Sequence, residues 1–140
     1  MRPFAVFAAL AALLALSGNA AAADRGLLRV QGSDYGPVLF DGRGYVLYAF
    51  THDGKNKSRC YGACAKAWPP YLVKQPKAGA GAKPSLLGTT RRSDGSIQAT
   101  YNGRPLYYYV HDGKGQILCQ NVKEFGGLWL ILRGSGKLVR

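Results

Sequence analysis

The sequence has few acids, little sulfur and almost no histidine. Seven Asp and Glu residues stand against 19 Lys and Arg among 140 residues, for a formal net charge of +12. Two histidines, three cysteines and one methionine are the whole stock of side chains suited to soft-metal or redox chemistry. None of them has the spacing of a compact metal motif. Cys60 and Cys64 form C-x-x-x-C rather than C-x-x-C, and no third ligand is close in sequence. Also missing are a nucleophile elbow, a phosphate loop and a Ser-His-Asp arrangement in recognisable context, so nothing marks catalytic residues. Long apolar runs are absent beyond the first 16 residues, and no later segment reaches the ~20 apolar residues of a transmembrane helix. The 3.6-residue period is nearly absent beyond that run.

The N-terminus reads as a processing signal. Arg2 supplies the positive end, Phe4 to Leu16 an apolar stretch, and Ala21-Ala22-Ala23 an A-x-A cleavage site. Cleavage of residues 1–23 leaves one secreted domain, residues 24–140, with a net charge of +11 because Arg2 is the one charge removed. With no Cys near the cleavage site, the sequence predicts a periplasmic or secreted chain without a lipid anchor. Such a charge attracts polyanions. Outside the cytoplasm these are lipopolysaccharide phosphates, anionic lipid head groups or acidic polymers, not nucleic acid.

What is abundant is the strand pattern, short aromatic or β-branched runs broken by Gly-containing turns. LLRV (27–30), PVLF (37–40), YVLYAFTH (45–52), GTTRR (88–92), SIQATY (96–101), PLYYYVH (105–111), WLILR (129–133) and KLVR (137–140) read as strands. DGRG (41–44) reads as a type I′ hairpin turn. One short helix fits near 61–67, stopped by Pro69-Pro70. KQPKAGAGAKP (74–84) reads as an exposed linker between two halves, roughly 27–73 and 85–140. The expected fold is mainly β: two similar antiparallel hairpin or meander halves packed into one small domain.

The halves share a pattern. YAFTHDGKNKSRC (48–60) returns 59 residues later as YYYVHDGKGQILC (107–119). Alternate strand residues share a face, so Tyr48, Phe50 and His52 form one row and Tyr107, Tyr109 and His111 the matching one. The rows read as the core between the halves, with a polar seam satisfying the tyrosine hydroxyls. The alternative is an aromatic groove for a quinone or haem, to which Tyr101, Tyr108 and Trp129 contribute. Asp53 and Asp112 each precede Gly-Lys. A carboxylate there can accept backbone N–H bonds one or two residues on and fix the chain reversal; acid–base chemistry is the alternative role. His52 and His111 are metal candidates only if the fold brings them together.

Three cysteines leave one unpaired if a disulfide forms, as export favours. Cys60–Cys64 would close a short loop, worth about 2 kcal/mol in the chain-entropy model. Cys119 paired to either would join the halves, worth roughly 4 kcal/mol by the same model. Residues four apart on a regular helix aim their side chains poorly for a disulfide. A Cys60–Cys64 bridge therefore needs a turn, which Gly62 permits.

These motifs together resemble a bacterial family of secreted-repeat proteins, predicted lipoproteins with a Tyr-x-(Phe/Trp/Tyr)-x-x-Asp motif. The motif is Tyr48 to Asp53 and again Tyr107 to Asp112. Cys60, Cys64, Ala65, Trp68, Pro69 and Pro70 match a C-x-x-x-C-A…W-P-P element, and Thr100 to Tyr107 a T-Y-N-G-x-P-L-Y element. The resemblance implies an exported two-repeat module and no particular reaction. The leading expectation is a non-catalytic binding or envelope-interaction module without a cofactor. A redox accessory protein using a metal, haem or quinone is the alternative.

Overall fold

The computed structural model describes residues 25–140, and the leader read in residues 1–23 lies outside the described residues. The strands are β1 (Leu27–Gln31), β2 (Val38–Asp41), β3 (Tyr48–Phe50), β4 (Lys77–Ala78), β5 (Leu87–Arg91), β6 (Ile97–Tyr101), β7 (Arg104–Pro105), β8 (Val122–Glu124) and β9 (Gly127–Ile131). Among the described residues one α-helix, α1 (Ala63–Ala67), falls where the sequence places it. Three small sheets result, ordered β2-β1-β4, β3-β9-β8 and β5-β6-β7. The fold is mainly β.

Period-two alternation sorts the side chains, but both faces of the central strands are buried. Tyr48 and Phe50 face one core cluster with Val38, Phe40, Trp68, Tyr107, Trp129 and Ile131. Ala49, between them, faces a second cluster with Leu28, Leu39, Leu47, Tyr71 and Leu106. The halves interlock through β3, which pairs antiparallel with β9 in the register Tyr48↔Ile131, Ala49↔Leu130 and Phe50↔Trp129. Neither half could cover these faces alone.

Several strands are shorter than their apolar runs suggest. The run 45–52 keeps strand geometry over Tyr48–Phe50, because the Asp53 N–H turns back to the Phe50 carbonyl at 3.1 Å. The run 105–111 leaves its sheet after Pro105. The Tyr108 N–H donates to the Pro69 carbonyl at 2.8 Å and the Val110 N–H to the Ala67 carbonyl at 3.0 Å, partners from the α1 segment. DGRG is not a type I′ turn. Gly44 has a positive φ of 96° while Gly42 does not, and Asp41 Oδ1 accepts the N–H groups of Arg43 and Tyr45 at 2.9 and 3.0 Å.

The segment 74–84 is not a free linker. Lys77 and Ala78 pair in parallel with Leu27 and Leu28, and the Val30 N–H donates to the Ala80 carbonyl at 2.7 Å. Gly81, at φ 75°, lies so close to Val30 that a Cβ there would come within 2.7 Å of its side chain. Glycine, read from composition as loop chemistry, here permits close strapping onto β1.

The disulfide is Cys60–Cys64, with Cα atoms 5.2 Å apart. Gly62, at φ 58°, supplies the turn ahead of α1. Cys119 is free and half-buried. Local geometry wins over the larger loop entropy of a long bridge.

Candidate functional site

The duplicated motif is explained by what each copy does to the other. Tyr48 and Tyr107 meet in an antiparallel bridge, each N–H donating to the other's carbonyl at 2.9 Å. The Tyr48 hydroxyl donates to Asp112 Oδ2, and the Tyr107 hydroxyl to Asp53 Oδ2, both at 2.7 Å. Each aspartate accepts a backbone N–H with its other oxygen, six residues on rather than one or two: Arg59 to Asp53 at 2.7 Å and Leu118 to Asp112 at 2.9 Å. The Asn56 N–H donates to the Gly103 carbonyl and the Gly115 N–H to the Gly44 carbonyl, at 2.7 and 2.8 Å. These reciprocal contacts describe an approximate two-fold axis between Tyr48 and Tyr107. The tyrosine of one copy latches the loop of the other.

The rings stack along the same axis. Trp68 and Trp129 lie parallel with centroids 4.0 Å apart. Phe50 stacks on Trp129 at 4.1 Å, and Tyr109 tilts over Trp68 at 4.8 Å. Tyr48 and Tyr107 meet Trp68 and Trp129 edge-on, each at 5.1 Å. His52 and His111 cap the ends of the column, against Phe50 and Tyr109, and both are exposed. The histidines are therefore at opposite ends, and the described residues bring no three His, Cys, Asp or Glu side chains together around a metal position. Of the three rings read as groove candidates, Tyr101 and Trp129 are fully buried and Tyr108 is half-buried, so only Tyr108 is left partly open. Pro69 and Pro70 lead out of α1. The Pro69 carbonyl takes the Tyr108 N–H, and Pro70 bridges Tyr107. Trp68 Nε1 donates to Glu124 Oε2 at 2.8 Å.

The two latches differ in surroundings. Behind Tyr107 lies Ser58, 2.7 Å from its hydroxyl, and behind Ser58 lies Arg92, buried at 4 % exposure. Arg92 Nη1 donates to Ser58 Oγ at 2.9 Å and Gln98 Oε1 at 2.8 Å, and Nη2 to the Cys60 carbonyl at 2.6 Å. Burial pushes the Asp53 carboxyl up to about 6; hydrogen bonds from Arg59 and Tyr107 and the charges of Arg92 and His52 oppose it without cancelling it. Burial also raises the Asp112 carboxyl and, with the facing carboxylates, both latch tyrosines.

A raised carboxyl means the folded chain holds its proton more tightly than the unfolded chain, whose value is about 3.9. Stability from Asp53 is thus fully present below about pH 4 and is lost as pH rises toward about 6. Discounted for its partial solvent screening, the effect is about 1–2 kcal/mol. Urea unfolding of wild type and Asp53→Asn at about pH 4.5 and about pH 7 isolates it. The variant should gain about 1–2 kcal/mol on wild type between the two; a parallel dependence would contradict this.

A second feature lies away from the column. A cleft of about 870 Å³ opens between Arg25–Gly26, the turn carrying Asp41 and Arg43, residues 71–75, Lys77 and Tyr108. Sequence reasoning missed both this cleft and Arg92. Asp41 was legible only as a turn residue, and Arg92 only as one of two adjacent arginines.

Among known proteins, no curated protein and no solved structure matches the chain. Residues 30–71 and 88–133 do match a family model, that of Lipoprotein_15, described as a secreted repeat of unknown function. Each matched segment contains one latch tyrosine and the aspartate that the other segment's tyrosine reaches. Matched over more than half its length and built on two interlocked copies of the repeat, the chain belongs to the Lipoprotein_15 family of secreted repeats.

Proposed function

We propose that the protein is an exported, non-catalytic module that docks on anionic components of the cell envelope, with the periplasm as its site of action. The observation behind this reading is the state of its few carboxylates. Among the described residues one ion pair forms, Arg43 to Asp41 at 3.2 Å. Asp53 and Asp112 are taken up by tyrosine hydroxyls and backbone N–H groups, Glu124 by Trp68, and Asp94 by Ser96. Four of the six described acids thus meet neutral donors, Asp41 is paired with Arg43 and Asp34 is exposed, so most of the positive charge faces solvent without an ion-pair partner. The same occupancy argues against acid–base catalysis, since the buried carboxylates already have their donors. The redox alternative gains nothing from the column, where Phe50, Trp129 and Trp68 cover one another.

Co-sedimentation with phosphatidylglycerol vesicles and phosphatidylcholine vesicles tests the reading. Binding should be confined to the anionic vesicles and should collapse as salt shortens the Debye length from about 30 Å at 0.01 M to about 8 Å at 0.15 M. Equal binding to both lipids, or none to anionic vesicles at low salt, would refute it.

A further inference from the structure

We infer that the cleft under Arg25, Arg43, Lys74 and Lys77 is a recognition site for a ligand carrying two or more phosphate or carboxylate groups. Its physiological source rests on the envelope-docking reading, whereas its chemistry rests on the geometry of the cleft alone.

The size fits. About 870 Å³ lies within the range of roughly 300–1,000 Å³ typical of small-molecule sites. The charge is one-sided, with four cations lining the cleft against one carboxylate, Asp41. That carboxylate has no free valence. It accepts the N–H groups of Arg43 and Tyr45, the Tyr108 hydroxyl at 2.6 Å and Arg43 Nε at 3.2 Å. Asp41 thus positions Arg43 and leaves nothing over for a cationic ligand. The Arg43 guanidinium carbon lies 5.0 Å from the Tyr45 ring centroid and 5.7 Å from that of Tyr108. Held by rings and carboxylate, it binds Asp41 through Nε while its side chain stays 59 % exposed. A guanidinium fixed in this way suits planar, bidentate recognition of an oxyanion. Arg25, Lys74 and Lys77 are exposed and belong to none of the ion pairs among the described residues. Because the cations come from separate chain segments around one opening, a ligand with several anionic groups uses them better than a single anion.

The lining also explains why a purely inorganic anion is not the best fit. Tyr71 and Tyr108 have committed their hydroxyls, to the Leu27 carbonyl at 3.0 Å and to Asp41, so they offer carbon to the cleft. Leu72 and Val73 extend that apolar surface. A ring or short chain bearing phosphates or carboxylates fits both surfaces.

The cleft has no equal counterpart across the approximate two-fold axis. The position of Tyr108 is Ala49 in the first copy, and the turn matching Asp41–Arg43 carries Asn102 in the second. The pocket beside that second turn is about 270 Å³ and is lined by Asp53 as well as Lys55 and Arg104. Duplication built the scaffold, and departures from the duplicated letters built the cleft.

Calorimetric titration with inorganic tripolyphosphate tests the inference on three proteins: wild type, the triple variant R25Q/K74Q/K77Q, and the triple variant K114Q/K123Q/K137Q, which removes the same charge from outside the cleft. The altered side chains are all exposed, so thermal melting should be unchanged. The cleft variant should bind about tenfold or more weakly, and the control variant within about threefold of wild type. Equal losses in both variants, or no binding by wild type, overturn the cleft. Phosphatidylglycerol vesicles and soluble polygalacturonate, offered to the same proteins, separate the two sources of the ligand. Loss of vesicle binding by the cleft variant assigns a lipid head group, and loss of polygalacturonate binding alone a soluble acidic polymer. If vesicles bind but tripolyphosphate does not, the cleft fails and the docking reading stands. If tripolyphosphate binds in the cleft and vesicles are ignored, the docking reading fails and the cleft stands.

Discussion

Trp129→Ala should lower the unfolding free energy by about 3–5 kcal/mol, the range for removing a fully buried tryptophan. Trp129 has no solvent exposure and is the ring through which the halves are joined. One face lies on Trp68 from the first half at 4.0 Å and the other on Phe50 at 4.1 Å, while Tyr107 meets it edge-on. Its Nε1 donates to the Glu124 carbonyl at 3.2 Å. Truncation removes the stacking on both faces and opens a cavity that neighbours held by the β3–β9 ladder cannot easily close. Since small domains are stable by about 5–15 kcal/mol in total, the variant should be close to unfolding. Urea unfolding followed by far-UV circular dichroism measures the loss. Leu118→Ala, at a site 52 % exposed, is the control and should change stability by less than about 0.5 kcal/mol. A loss below about 1 kcal/mol for Trp129→Ala would mean the ring column does not hold the halves together.

Arg92→Ala should cost about 3 kcal/mol, because it leaves two buried acceptors, Gln98 Oε1 and the Cys60 carbonyl, without donors. The guanidinium satisfies Ser58 Oγ, Gln98 Oε1 and the Cys60 carbonyl, and packs 4.4 Å from the Tyr61 ring centroid. Among the described residues no carboxylate pairs with it. Its counter-charge is Asp53, reached through Ser58 and Tyr107, and Arg92 in turn holds the Asp53 carboxyl lower than burial alone would put it. Arg92→Lys should recover less than half of the loss, since a single ammonium cannot span both ends of the fork. Chemical denaturation at about pH 7 decides it, and a lysine variant as stable as wild type would show that charge rather than fork geometry is what the site requires. The alanine variant should also show its Asp53-linked loss of stability at higher pH than wild type, because a lowering influence on that carboxyl is gone.

Both effects bear on how far the chain could be read in advance. The mainly β class, the short helix before Pro69-Pro70 and the two copies were legible, because turn residues and period-two alternation are local signals. Tyr48, Phe50 and Tyr107 were legible as core for the same reason, whereas Tyr109 is half-buried and both histidines of the rows are exposed. Strand ends were not, because Tyr108 and Val110 give their N–H groups to Pro69 and Ala67, and no local rule names those partners. The strap at 77–78 was hidden by a composition that also suits loops. Asp53 and Asp112 read as turn residues, and they do close loops, but their second oxygens answer to tyrosines 54 and 64 residues away in sequence.

The sequence by itself determined that the same letters occur twice, that they alternate as strands, and that positive charge exceeds negative by 12. It also confined the cysteine pairing to a few options, of which Gly62 made the short one feasible. Only the tertiary structure decided that each tyrosine belongs to the other copy's aspartate, that Trp68 stacks on Trp129, and that four scattered cations surround one cleft. The reason is that alternation and turn chemistry act over a few residues of chain. A latch or a cleft depends on which distant segments share one small volume, and that is settled when the whole core closes.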